Sequence, residues 1–323
     1  MKTSDILLCK AETDLGINTH FTKGERIPVA NCWHFCTDGN AIDSLFYDDQ
    51  DFIDGMNRIC IVIDRYSNVA MLAFVLMDTH LHFILYGQYD ECSQFVHEHL
   101  RRTSIHISRR HHLSKKLKDI PVNCQHIDND FYLKTAICYV IKNPTAAGLP
   151  FLPQDYPWSS GSLYFRNRGL WTSAKWSEEN AFSGSLKNMS RRKRLINFKT
   201  KALENSDLMS CGSLIFPGEY VEFKLVERIY KTHRRYTYFM NISKEEDLNP
   251  LAVIASRLSI PIREMRQLRN SVTQELFGAT SIHSLDLIQR IQTARTLRSR
   301  YKCSAKQVAR VCGLIYDEVK DSV

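Results

Sequence analysis

His80 and His82 are separated by one residue in the run Met77-Asp78-Thr79-His80-Leu81-His82-Phe83-Ile84-Leu85. Alternate side chains of a β-strand project to one face. The two imidazoles therefore point together, while Leu81 and Phe83 turn the other way into a core. Two converging neutral imidazoles make half of a metal site. Tyr139 and Asn143 lie four residues apart in a helical stretch and share a face. The Asn143 side-chain oxygen is a candidate third ligand. Two imidazoles, one amide oxygen and open positions suit Mg²⁺ or Mn²⁺ with bound substrate better than structural zinc, which takes four closed protein ligands. Tyr139, one turn from Asn143, would face the same ion. A tyrosine hydroxyl can attack as a nucleophile and form a covalent intermediate, and a metal ion can polarise a scissile phosphate and stabilise its leaving oxygen.

The elements that must position these groups can be read from periodicity. Ala30 to Thr37 alternates apolar and polar residues as a strand does, and Asp38-Gly39-Asn40 ends it with turn chemistry. Phe52, Met56, Ile59 and Ile63 give Asp49 to Tyr66 a helical period. Asn68 to Met77 is a strongly apolar strand, and only Asp78 and Thr79 separate it from a second strand, His80 to Tyr86. The two form a hairpin with the histidines at its mouth. Glu91 to Lys118 and Asn129 to Asn143 read as helices, the latter stopped by Pro144. Strand, helix, strand, strand, helix, helix predicts an α+β sandwich. A ferredoxin-like antiparallel sheet fits that order, although no fourth strand is evident.

The rest of the chain changes character. Residues 1–165 form the expected catalytic domain, and 166–219, with Arg191-Arg192-Lys193-Arg194, a linker or appended segment. Residues 220–323 read as an all-α C-terminal region. Within it, Ser304 to Leu314 gives a short helix and a glycine turn, and a new start at Tyr316 makes a candidate helix-turn-helix running to Val323.

Composition sets the outer bounds. The 323 residues are 44% hydrophobic and 24% charged, the proportions of an ordinary globular protein. No apolar run reaches transmembrane length, and Met1 to Asp5 lacks a signal-peptide pattern, which predicts a cytoplasmic protein. The ten cysteines show no paired zinc spacing and read as free thiols. A net charge of +8 hints at a polyanionic partner. Arg101, Arg102, Arg109, Arg110, Lys115 and Lys116 crowd one helix, a candidate phosphate-binding surface as well as an ordinary solvated face. Trp158 reads as a packing anchor rather than a base-stacking platform.

The histidine pair flanking Leu81 resembles the signature of the HUH single-strand endonucleases. Ala73 to Leu85 is similar to the hairpin of the REP-associated tyrosine transposases, relatives of the insertion-sequence transposases with one catalytic tyrosine. Cys138-Tyr139-Val140-Ile141-Lys142-Asn143-Pro144 resembles their nucleophile helix, and Tyr156-Pro157-Trp158-Ser159-Ser160 with Tyr164 the segment after it. The resemblance spans roughly residues 28–166. It implies the HUH nuclease fold and a metal-dependent transesterification on single-stranded DNA beside a hairpin or palindromic repeat. Tyr139 would form a 5′-phosphotyrosine, with His80, His82 and Asn143 holding the ion. Where the family has Pro-Asn before the first histidine, this chain has Asp78-Thr79, and an acidic Asp78 would either repel phosphate or help hold the ion through water. Two other functions fit the same scaffold: a non-catalytic DNA-binding regulator and a metal-dependent RNA-processing enzyme. The family includes monomers and dimers, and a homodimer could exchange the tyrosine helix.

Overall fold

The computed structural model describes residues 4–19, 26–39, 44–112, 120–166, 184–199, 207–242, 262–301 and 305–319, with side chains for all of these but 262–264, 306 and 317. Two compact units emerge: Met1–Pro144 with Phe151–Ser243, and Thr145–Pro150 with Lys244–Val323. The division falls at 243 and not at the expected 219, because the helices just after residue 220 pack into the first unit.

That unit is built on a sheet. After α1 (Asp5–Asp14) come β1 (Cys32–Thr37), α2 (Asp49–Ile63), β2 (Ala70–Leu76), β3 (Leu81–Tyr86), α3 (Tyr89–His111), β4 (Val122–His126) and α4 (Asp130–Ala146). The four strands form one antiparallel sheet in the order β2-β3-β1-β4. The expected α+β class holds, and β4 is the strand that periodicity failed to find. Its Val-Asn-Cys-Gln-His sequence has no apolar alternation to detect, since it forms an edge whose residues are mostly exposed. The edge at β2 is covered. Leu76 and Phe74 exchange backbone hydrogen bonds with Trp158 and Ser160, the Tyr156 hydroxyl donates to the Leu76 carbonyl at 3.0 Å, and the Tyr164 hydroxyl to that of Leu72 at 2.6 Å. The Tyr156–Tyr164 motif is thus an edge cover. Trp158 lies buried, stacked on Phe52 with ring centroids 5.1 Å apart, as a packing anchor.

Strand alternation assigns the two faces. Phe83 and Leu85 stand opposite Phe35 and Trp33 of β1 and face the same side, and Phe83 packs on Phe95 and His99 of α3 at 5.6 and 5.2 Å. His82 and Ile84 face the opposite side, toward α4. Asp48 caps α2 by accepting from the Gln50 and Asp51 amides. Pro144 does not stop α4, which continues to Ala146. So close to the C-terminus, a missing N–H forfeits only one intrahelical bond.

The appended segment is docked rather than free. β5 (Gly184–Ser185), β6 (Met209–Cys211) and β7 (Leu214–Ile215) form a small antiparallel sheet, and α5 (Arg191–Phe198) lies between the first two in sequence. Buried Asn57 of α2 holds this piece: its amide donates to the Ser213 carbonyl at 2.6 Å and accepts from the Ile215 amide at 2.8 Å. α6 (Phe223–Tyr230) and α7 (His233–Ile242) brace α4, with the Tyr230 hydroxyl donating to the Lys134 carbonyl at 2.6 Å. In the second unit, α8 (Ile262–Phe277), α9 (Leu287–Tyr301), α10 (Ala305–Val311) and α11 (Tyr316–Val319) enclose a core including Val272, Leu297, Val308 and Leu314. Gly313, at φ +65°, makes the turn between α10 and α11. The described residues thus keep the helix–turn–helix order, and residues 320–323 lie outside them. The nine described cysteines are free thiols. Among the described residues, no helix is long and apolar enough to cross a membrane.

His99 of α3 is fully buried. Its Nε2–H donates to the Gly55 carbonyl at 3.0 Å, and burial pushes its pKa down to about 4. As pH falls below about 6.5, the unfolded chain takes up a proton that the folded chain refuses until about pH 4, so stability is lost through that window. His99→Gln, which keeps the donor to Gly55, should flatten the stability–pH slope near pH 5.5 by about 1.4 kcal/mol per pH unit. Urea denaturation at several pH values reads this directly, and an unaltered slope would contradict the assignment.

Candidate functional site

β1, β3 and α4 each bring side chains to one place. His80 precedes β3 by one residue, where the β2–β3 hairpin closes through a Met77 amide to His80 carbonyl hydrogen bond of 2.8 Å. The Asp78 carbonyl accepts from the Leu45 and Phe46 amides and the Ser44 hydroxyl, which ties the hairpin mouth to the loop before α2. Thr79 is buried, and its Oγ1 lies 2.9 Å from His80 Nδ1. Asp78 and Thr79 therefore anchor the turn and orient the first histidine.

On the far side of that ring, His80 Nε2 lies 3.0 Å from Asn143 Oδ1, and the Asn143 Nδ2 group donates to His82 Nε2 at 3.1 Å. Because His82 Nε2 accepts, its proton sits on Nδ1, which donates to His34 Nε2 at 3.0 Å. One hydrogen-bonded chain thus runs Thr79, His80, Asn143, His82, His34, with both ring nitrogens of His80 and of His82 assigned by their neighbours. Tyr139 packs edge-on against two of these rings, its centroid 5.5 Å from that of His82 and 5.9 Å from that of His34. Asn143 and Tyr139 share the inward face of α4 because they are one turn apart.

Two imidazole nitrogens and one amide oxygen could hold a divalent ion. Ligands adjacent on an octahedral ion, at about 2.1 Å each, sit about 3 Å from one another. His80 Nε2 and Asn143 Oδ1, hydrogen-bonded at 3.0 Å, stand at that spacing, so an ion would take the place of the proton between them. Burial, with His80 and His34 nearby, pushes the His82 pKa well below the usual value, and burial alone takes His34 down to about 4. Both rings are therefore neutral near pH 7, as ligation and its support require. None of the three candidate ligands is a carboxylate, so an ion's charge would be left for an anionic substrate to balance.

The structure thus brings together His80, His82, Asn143 and Tyr139. It also adds His34, which sequence reasoning passed over. The signal was present in the alternation of Cys32 to Thr37, which puts His34 and Cys36 on one face. What the sequence lacked was the register that lays β1 beside β3, with Cys36 opposite His82 and His34 opposite Ile84.

The basic residues are placed elsewhere. Arg101, Arg102, Arg109 and Arg110 lie on α3, across the sheet from Tyr139, while Lys115 and Lys116 fall outside the described residues. Arg101 and Arg102 grip Glu98 at 2.7 and 2.6 Å, and Arg110 grips Asp48 and Asp51 at 2.6 Å each. On that same side Asp48, Asp51 and His111 place donor atoms within 4.8 Å of one another, a group that could hold a metal ion. Arg110 already supplies positive charge there, and together with His106 and His111 it holds the Asp51 carboxyl far below the usual carboxylate range against the effect of burial.

If His34 fixes the tautomer of His82, His34→Ala should weaken Mn²⁺ binding by about 10- to 100-fold, the usual effect of removing a ligand's supporting partner. His34→Gln, whose amide oxygen can accept from Nδ1–H, should recover most of it. Titration calorimetry of the full chain reads both, and unchanged affinity in His34→Ala would remove that role. Comparison with protein-family models, with curated proteins and with solved structures finds no match to this chain.

Proposed function

We propose that the protein is a metal-dependent single-stranded DNA endonuclease and strand-transferase of the HUH type, using Tyr139 as its nucleophile. The observation that carries this reading is the convergence of Tyr139 and Asn143 of α4 with His80 and His82, from β3 and the turn before it, onto one side of the sheet. The β-α-β-β-α-β order and the strand order β2-β3-β1-β4 agree with the ferredoxin-like arrangement that the family resemblance implies. The carboxylate-free donor set supports an anionic substrate, and a phosphodiester meets that demand.

In this reading the substrate strand lies across the β1 side of the sheet with a phosphate beside His80 and His82. The Tyr139 oxygen bonds to phosphorus as the bond to the 3′ oxygen breaks; the phenol loses its proton and the departing 3′ oxygen gains one. The product is a 5′-phosphotyrosine and a free 3′-OH. The phosphodiester bond energy is retained, so the reverse attack by a 3′-OH rejoins a strand without an external energy source. An Mg²⁺ or Mn²⁺ ion held by His80, His82 and Asn143 would polarise the scissile phosphate and stabilise charge on its oxygens. Thr79 and His34 hold the two rings in place from behind, and packing of Tyr139 against His34 and His82 limits where its hydroxyl can go.

Incubation of the full chain with a 3′-labelled hairpin oligonucleotide carrying a single-stranded flank, in Mn²⁺, should give an adduct that survives denaturing electrophoresis. Tyr139→Phe should remove it entirely, and His80→Ala should lower its rate by about 10²–10³-fold. Tight binding with no adduct in Mg²⁺ or Mn²⁺ would instead favour a DNA-binding regulator, and preferential cleavage of the matching RNA would overturn the substrate assignment.

A further inference from the structure

We propose that a basic cleft between α2, α3 and the end of α5, on the sheet face opposite Tyr139, is a second DNA site that grips backbone phosphates. The cleft has a volume of about 450 Å³, and its lining includes Arg58 of α2, Arg101, Arg102, His106 and Arg109 of α3, and Lys199 just after α5. Among the described residues no carboxylate lines it. The acids stand behind the cations. Asp54 takes a bidentate pair from Arg58 at 2.5 and 3.1 Å, and Glu98 holds Arg101 and Arg102 at 2.7 and 2.6 Å. A guanidinium has five N–H donors, and those not given to a carboxylate stay in a fixed planar fork suited to phosphate. Arg109 is exposed and makes no ion pair among the described residues.

Charge favours an anion even after the internal pairs are counted. With Arg110, six cationic side chains line the cleft, whereas Asp48, Asp51, Asp54 and Glu98 are the four carboxylates paired to them, which leaves an excess of two. Lys199, the residue that closes α5, meets α3 here: its Nζ donates to His106 Nδ1 at 3.0 Å across 93 residues. Among the described residues the lining has Ile105 but no Trp, Tyr or Phe, and its one aromatic ring, His106, is buried, so it offers little on which to stack a base. A free nucleotide would find no base pocket, whereas a backbone read by charge alone needs none. An open cleft lined by the cations of α3 suits a strand passing across it.

The ligand rests on the DNA reading above, but the site does not depend on Tyr139 chemistry, and the test is run in EDTA so that no cleavage intervenes. Anisotropy of a labelled hairpin oligonucleotide bound to the full chain is followed from about 50 to 200 mM salt. For Arg109→Glu with Lys199→Glu, affinity should fall by at least about 10-fold, and the slope of log affinity on log salt should shrink by about 2, as two phosphate contacts predict. Arg109→Gln with Lys199→Gln gives a milder loss with the same change of slope, and keeps the test valid if the acidic variant folds poorly. Unchanged affinity and slope in the glutamine variant would overturn the proposal. So would calorimetric binding of tripolyphosphate that is lost in the variants while DNA binding is not, since that marks a free-anion site. Loss of the covalent adduct reading alone would leave this site standing, and the reverse also holds.

Discussion

The alternation of β3 is the constraint on which the rest depends. Adjacent residues of a strand must face opposite ways, so His82 and Phe83 divide the molecule between them. Phe83 is buried against Phe95 and His99, an aromatic contact that, with the apolar area it removes from water, stabilises by about 1.5–3 kcal/mol. That contact fixes α3 on one face. His82 is then obliged to face α4, and the register with β1 sets His34 beside it. A slip of one residue would exchange the two faces at once, burying Phe83 under α4 and presenting His82 to the α3 core.

The polar side of this arrangement is a buried chain in which each member decides the state of the next. Neutral histidines are tolerated away from water because hydrogen bonds satisfy their nitrogens; a buried polar atom left without a partner costs about 1–3 kcal/mol. Burial keeps His34 and His82 uncharged, and ligation by His82 Nε2 would replace the hydrogen bond it now accepts from Asn143. Structure and candidate chemistry therefore draw on the same hydrogen bonds. Across the sheet the solution is different: charges are retained, and buried Asp51 and Asp54 are matched by Arg110 and Arg58. One face is arranged around neutral donors, the other around paired charges with a cationic surplus.

Much of this was legible in the sequence, for physical reasons that differ from element to element. β2, β3, α2 and α4 announced themselves because their buried faces repeat at a strand or helix period. His80, His82, Tyr139 and Asn143 could be grouped because spacings of two and four are local geometry. β4 could not be seen, as an edge strand buries too little to need an apolar pattern. His34 escaped because its partner comes from a non-local register. The arginines of α3 were visible as a charge run, but not their position across the sheet from Tyr139, nor the acids of α2 that pair with them. The boundary at 243 was hidden for a similar reason: α6 carries an apolar face like any helix, and only the tertiary contact of Tyr230 with Lys134 shows which unit it belongs to.

The central claim is that β1, β3 and α4 converge to hold an ion beside Tyr139. Crystals of the full chain soaked in Mn²⁺ and measured for anomalous scattering test this most directly. The account predicts a peak about 2.1–2.3 Å from His80 Nε2, His82 Nε2 and Asn143 Oδ1. A peak at Asp48, Asp51 and His111 with none beside Tyr139 would contradict it.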